Sequence, residues 1–304
     1  MWPSRSGRLE QLESGLIAFS KEDTVLVGLS DKLARRTLAL QMIASLRRLE
    51  YTVILKNRDI HPNRANPNSD MFDPERAALL HARNGDFDEA IWLIFLSIHF
   101  GKHGKHGWRM MRDIYSGLGG GQWTWRRVSA RPTDFRKWLR ANRANIGGAF
   151  GNHRKYETLD ADSRSSTATV IESFVGLCKP SPSGYFSALV RSTGNNPTKI
   201  FDVAYCSLKI ARFGRLAKFD FLALLGRMDL APISPGSAYL RGATGPLRGA
   251  RLLIDGTPKS SRNAEDLDQV LQRVDQRLKV GMQVMEDSIC NWQKSPRKFK
   301  HFRG

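Results

Sequence analysis

The sequence is short of acid. Twenty-nine Asp and Glu stand against 48 Lys and Arg in 304 residues, a formal charge of +19. Cationic partners are disfavoured by such an excess, and a polyanion, most commonly nucleic acid, is favoured. Cysteine is scarce: Cys178, Cys206 and Cys290 are far apart, odd in number and form no C-x-x-C pair. A disulfide framework is excluded, and buried reduced thiols are expected rather than a disulfide or a thiolate nucleophile. Long apolar runs are missing. The longest, 90–98, is too short to span a bilayer and carries Ser97. The first ten residues hold no apolar stretch of the signal-peptide kind, so an uncleaved cytoplasmic protein without membrane insertion is expected. There is no alternating βαβ pattern, no fixed-period repeat, no G-x-G-x-x-G and no Walker loop, and no cofactor is expected.

What is present is helical pattern. A hydrophobic fraction of 41% excludes a disordered chain. Leu38, Met42, Leu46 and Leu49 make one apolar face after Ser30 and Asp31. Asp73-Pro74-Glu75 reads as a cap followed by proline in the first turn. Asp86 and Glu89 resemble a capping box opening the buried run Ile91, Phe95, Ile98. Further helices are expected at 133–143, 166–178, 184–192, 197–211 and 215–226, and a long one at 264–290 capped by Asn263. Only 51–55 resembles a strand, and it serves equally as a continuation of the preceding helix. The fold class expected is all-α, with long irregular loops at 57–73 and 231–262. Three segments are expected: 1–29, a helical domain over 30–290, and a mobile basic arm over 291–304 with five Lys/Arg and no acid after Ile289.

The positive charge is concentrated. Between His99 and Lys155 thirteen Lys/Arg face only Asp113 and Asp134, interleaved with Trp108, Trp123, Trp125 and Trp138. Cations among aromatics suit a surface that follows phosphates and stacks a base, and they suit equally a set of basic helix faces around buried tryptophans. Within this segment, His99, His103 and His106 are four and three apart, but Gly101, Gly104 and Gly107 interrupt a helix and no carboxylate or thiolate is near. A Gly-rich turn whose amides, with Lys102 and His103, meet a phosphate fits better than a metal site, and no metal is expected. Phe150-Gly-Asn-His-Arg-Lys-Tyr156 is the sharpest local signal. Asn152, His153, Arg154, Lys155 and Tyr156 offer an amide, an imidazole, two cations and a phenol, for either a base-reading pocket or a phosphate clamp.

Ser207–Leu222 reads as helix, turn at Gly214, helix, with Arg212 and Arg215 flanking the turn and Lys218 one turn on. This is the layout of a hairpin whose turn amides hold a DNA phosphate, or of an ordinary helical turn. Asp220 on the second helix, then Asp202, are the candidate catalytic acids. A carboxylate beside an extruded nucleotide can steady charge growing on the sugar and orient water; the plain alternative for each is an ion pair.

Four strings, HARNGDFDEAIWLIFLSIHFGKH (81–103), FGNHRKYETL (150–159), IFDVAYCSLKIARFGRLAKFDFLALLG (200–226) and GSAYLRGATGPLRGARLL (236–253), resemble the α-glutamyl/putrescinyl thymine pyrophosphorylase superfamily, its third clade in particular. The resemblance implies a helix-hairpin-helix DNA-glycosylase-like fold and a double-stranded DNA partner carrying modified bases, and it adds Tyr239 and Arg241 to the DNA-contacting candidates. It also implies excision of a hypermodified pyrimidine, α-glucosyl-hydroxymethylcytosine above all, from phage DNA in host defence. Two departures stand out. The window where such glycosylases carry a catalytic aspartate reads Ile233-Ser-Pro-Gly-Ser237, and Leu216 occupies the usual lysine nucleophile position. A lyase is thereby disfavoured. The competing activities are a transferase displacing pyrophosphate from phosphorylated hydroxymethyluracil with an amino acid or polyamine, and a reader of modified bases without catalysis.

Overall fold

Helix starts are set locally. In the computed structural model, which describes residues 2–301, Asp73, Asp86, Ser166, Asn196 and Asn263 each accept a first-turn backbone N–H through the side chain. Among the described residues fourteen α-helices follow in order: α1 (Ser6–Glu22), α2 (Lys32–Asn57), α3 (Pro74–Arg83), α4 (Phe87–Phe100), α5 (Arg109–Tyr115), α6 (Trp125–Ala130), α7 (Pro132–Asn142), α8 (Thr167–Cys178), α9 (Pro182–Thr193), α10 (Pro197–Ser207), α11 (Arg215–Arg227), α12 (Gly245–Asp255), α13 (Ala264–Leu278) and α14 (Met282–Trp292). Among the described residues only single bridges, His103 to Gly107 and Thr158 to Ser166, are of β type. The protein is all-α, and 51–55 continues α2. No helix of the described residues is long and apolar enough to cross a membrane.

The chain forms two compact units, Met1–Thr52 with Pro235–Arg303, and Val53–Ser234. In the first, an aliphatic core joins Leu12, Leu16 and Phe19 of α1 to Leu267, Leu271 and Val274 of α13. Trp292 is fully buried, its Nε1 donating to the Ala34 carbonyl at 2.9 Å. The 1–29 segment holds the helix α1. Two expectations are corrected here. The supposed loop 231–262 contains α12, whose Gly-Pro start is the proline-first entry of a helix rather than a break. And 264–290 is two helices: the Asp275 carboxylate accepts the Val280 and Gly281 N–H groups that a continuing helix would use, and Lys279 and Gly281 take φ of 51° and 88°. Beyond α14, Gln41 Nε2 donates to the Lys300 carbonyl at 3.0 Å, and Phe299 sets its ring edge-on to Trp2. Residues 302–304 of the expected arm lie outside the described residues.

The second unit is built on α4, which is apolar all round and buried from Glu89 to Ser97, as a helix enclosed by others must be. Phe95 stacks on Phe174 of α8 at 3.9 Å, with Phe213 and Phe221 around them. Trp92 Nε1 donates to the Trp123 carbonyl at 2.9 Å. Cys178 is buried here, whereas Cys206 is exposed, and Cys290 in the other unit is half-buried; an apolar neighbourhood in sequence did not make all three thiols interior.

Candidate nucleic-acid and catalytic site

At the C-terminal end of α4 two loops meet backbone to backbone. Gly151 N donates to the Phe100 carbonyl at 2.8 Å, and a Cβ on Gly151 would lie 2.9 Å from the Gly101 carbonyl carbon. Gly101 itself turns the chain out of α4 at φ 64°, the left-handed region that favours glycine. This close approach sets 152–156 over the helix end. Arg154 is held there by its Nε–H to the Ile98 carbonyl at 2.9 Å, with its guanidinium 5.9 Å from the Phe213 ring centre. Burial draws the Arg154 pKa below its ordinary value, opposed by the Asp220 and Glu157 carboxylates.

Beneath this loop lies a cleft of about 210 Å³. Its walls carry Lys102, Asn152, His153, Arg154 and Asp220, five candidates from three separate stretches of sequence, together with Trp108 and Glu75. A neighbouring cavity of about 430 Å³ shares Lys102 and Trp108 and adds Arg64, Arg109, Arg112, Asp70 and Asp73. Arg64 and Asp70 come from the 57–73 loop, so that loop does shape a cavity.

The other candidates do not line the cleft. The Tyr156 side chain is exposed, and Lys155 lies 5.1 Å over its ring. His103 Nδ1 accepts the Lys105 and His106 amides, closing the Gly-rich turn. Arg212 Nε donates to Glu157 at 3.5 Å, tying the hairpin to the 150–157 loop. Arg212 also adopts φ 61°, the conformation for which such a hairpin would use glycine. The preceding helix ends at Ser207 rather than 211, and Gly214 caps α11. Arg215 lies 4.9 Å over Phe219 and Lys218 5.7 Å over Tyr205. Asp202 is exposed on α10, away from the cleft lining. Tyr239 and Arg241 belong to the first unit, where Arg241 pairs with Glu265.

Folding changes the meaning of the basic segment. Trp123 and Trp125 are 2% and 5% exposed, so they are core rather than stacking platforms. Acids from outside the segment neutralise much of it: Arg136 pairs with Glu172, Arg140 with Asp162, Arg143 with Asp160 and Arg112 with Asp70. Lys102, Lys105, Arg126, Arg131 and Lys155 make no ion pair among the described residues. His99 does not face the turn. It is buried, with Nε2 3.1 Å from Thr167 Oγ1, and burial, helped by Arg154, lowers its pKa to about 3. No group of three or more His, Cys, Asp or Glu placed to hold a metal occurs among the described residues.

Glu75 is the residue that sequence reasoning passed over. It was legible only as the acid of a first helical turn, where the helix dipole favours it. Burial, then Asp73, push its carboxyl pKa up, against Arg227, Lys102 and Arg76.

A family model described as alpha-glutamyl/putrescinyl thymine pyrophosphorylase clade 3 matches residues 33–304. No curated protein and no solved structure matches the chain. The match covers every wall of the cleft and both loops that close it, as the four sequence strings implied, and the chain belongs to this family of enzymes that process modified bases in DNA.

Proposed function

We propose that the protein is a monofunctional DNA glycosylase that excises a hypermodified pyrimidine, α-glucosyl-hydroxymethylcytosine being the expected base, from phage DNA as host defence. The observation that carries this reading is that Asp220 lines one cleft with Asn152, His153, Arg154 and Lys102. A nucleotide turned out of the duplex into that cleft meets a carboxylate beside its sugar and N–H donors around its base and phosphate. As the C1′–N1 bond breaks, Asp220 steadies the positive charge on the sugar and takes a proton from the attacking water, leaving an abasic site. The turn at Arg212 and the amides at the start of α11 offer a phosphate hold of the helix-hairpin-helix kind.

Incubation with glucosylated hydroxymethylcytosine DNA beside unmodified DNA, followed by alkaline cleavage, tests the reading. Breaks confined to the modified duplex, and lost with Asp220→Asn, are expected. Intact sugar–base bonds on both would end it. With Leu216 in place of a hairpin lysine, borohydride should trap no covalent DNA adduct.

The cations of the adjoining cavity, Arg64, Lys102, Arg109 and Arg112, favour one second reading. There a pyrophosphate leaving group on hydroxymethyluracil would be held while an amino acid or polyamine displaces it. Mass spectrometry of treated nucleosides separates the two, an added amine mass against a free base.

A further inference from the structure

We propose that Glu75 is the proton donor to the departing base, working across the cleft from Asp220; this rests on the glycosylase reading and assigns the second half of its chemistry. Both carboxyls line the same cleft, one on the first turn of α3 and one on α11. The two differ in setting. Asp220 interacts electrostatically with Arg154 and shares the cleft lining with His153.

Glu75 is half-buried, and its carboxyl makes no hydrogen bond or ion pair with the described residues. That is unlike the buried acids Asp73, which accepts from the Arg76 backbone and side chain, and Glu89. Glu89 accepts from Tyr115 Oη at 2.5 Å and from the Trp125 amide at 2.7 Å, which accounts for it structurally. A half-buried cleft-lining carboxyl without a hydrogen bond lacks such an account.

The charges around Glu75 come from several elements. Asp73 caps α3 and Arg76 lies on it, Lys102 follows α4, and Arg227 ends α11; lining the same cleft are Asp220, His153 and Arg154. Burial and Asp73 outweigh the three nearby cations, so the carboxyl holds its proton above the ordinary glutamate range. A donor poised in this way matches the task.

The step balances without any further reactant. Water oxygen bonds to C1′ and gives one proton to the Asp220 carboxylate. The C1′–N1 electron pair leaves with the pyrimidine, which takes the Glu75 proton on its exocyclic O2 or on a ring nitrogen. Asp220 is then protonated and Glu75 ionised, and exchange with solvent restores both.

The test measures base release from glucosylated hydroxymethylcytosine DNA across pH for wild type, Glu75→Gln and Glu75→Asp, with duplex binding measured alongside. Glu75→Gln should lower kcat about 10²–10³-fold with binding retained, and should lose the high-pH fall that wild type shows when its donor ionises. Glu75→Asp should keep that fall at reduced kcat, which also covers the case in which the glutamine variant does not fold. A Glu75→Gln enzyme with wild-type kcat or a wild-type pH profile would overturn the assignment of Glu75 alone. Wild type that releases no base would overturn the glycosylase reading and this inference with it.

Discussion

The two units of the molecule spend their polar groups differently. In the unit of α1 and α12–α14, many ion pairs lie at the surface, as in Arg273 with Asp23, Arg277 with Glu22 and Arg36 with Glu13, while Glu286 of α14 is buried. Its core is mostly aliphatic, with Phe19 and Trp292 among it, and its helices α12 and α13 are amphipathic. The unit of α3–α11 instead takes titratable groups inside: His99, Glu89, Arg154 and Glu75 all have pKa values displaced by burial. Desolvating such groups is costly, and proteins tolerate it chiefly where chemistry needs it. This concentration of displaced groups supports placing the proposed site in the unit of α3–α11.

The sharpest break of this contrast is chemical. Asp220→Asn should reduce base release at least ~10³-fold, whereas Asp202→Asn, on the exposed face of α10, should change it no more than a few-fold. Single-turnover kinetics of the two variants on one modified duplex would check this.

Next comes pH. Folding lowers the His99 pKa to about 3, so the folded state sheds that proton first and stability rises with pH between about 3 and 6.5. Folding raises the Glu89 pKa from 4.5 to about 7, so the folded state keeps that proton and stability falls with pH between those values. The two trends oppose each other from about 4.5 to 6.5. Each variant should unmask the other group. Glu89→Gln should gain stability as pH rises towards 6.5, and His99→Gln should lose it from 4.5 upward, each by on the order of 2 kcal/mol in denaturant titrations. In the first unit, Asp23, Asp255 and Glu265 have lowered pKa values.

A smaller effect sharpens the geometry. Gly151→Ala forces a Cβ against the Gly101 backbone and should cost about 1–3 kcal/mol, with a loss of base release because Asn152, His153 and Arg154 ride on that contact. Smallest of all, Arg277→Ala should cost less than about 1 kcal/mol by thermal melt, since the pair with Glu22 is solvent-exposed.

Much of the helical framework was legible because its signals are local. Asp73, Asp86 and Asn263 do cap α3, α4 and α13, and the helices expected near 133–143, 166–178 and 215–226 are α7, α8 and α11. Failures came where local reading competes with tertiary context. Gly245-Pro246 reads as loop until the apolar side of α12 has a core to face. The 264–290 pattern continues in register through a break made by the Asp275 side chain. Part of the cleft was legible too: 150–156 supplies Asn152, His153 and Arg154, residue types that no core would choose.

By itself, then, the sequence determined an all-α chain, its helix caps, its basic balance, its family and the loop that carries three cleft residues. These depend on side chains a few positions apart, or on composition alone. Tertiary structure decided which cations are left unpaired, because Glu172, Asp160 and Asp162 reach the basic segment only through packing. It decided that Trp123 and Trp125 are core, and that Glu75 and Asp220, 145 positions apart in the chain, line one cleft. The physical reason is the same in each case. Desolvation and charge pairing depend on which surfaces come together in space, and no spacing along the chain encodes that.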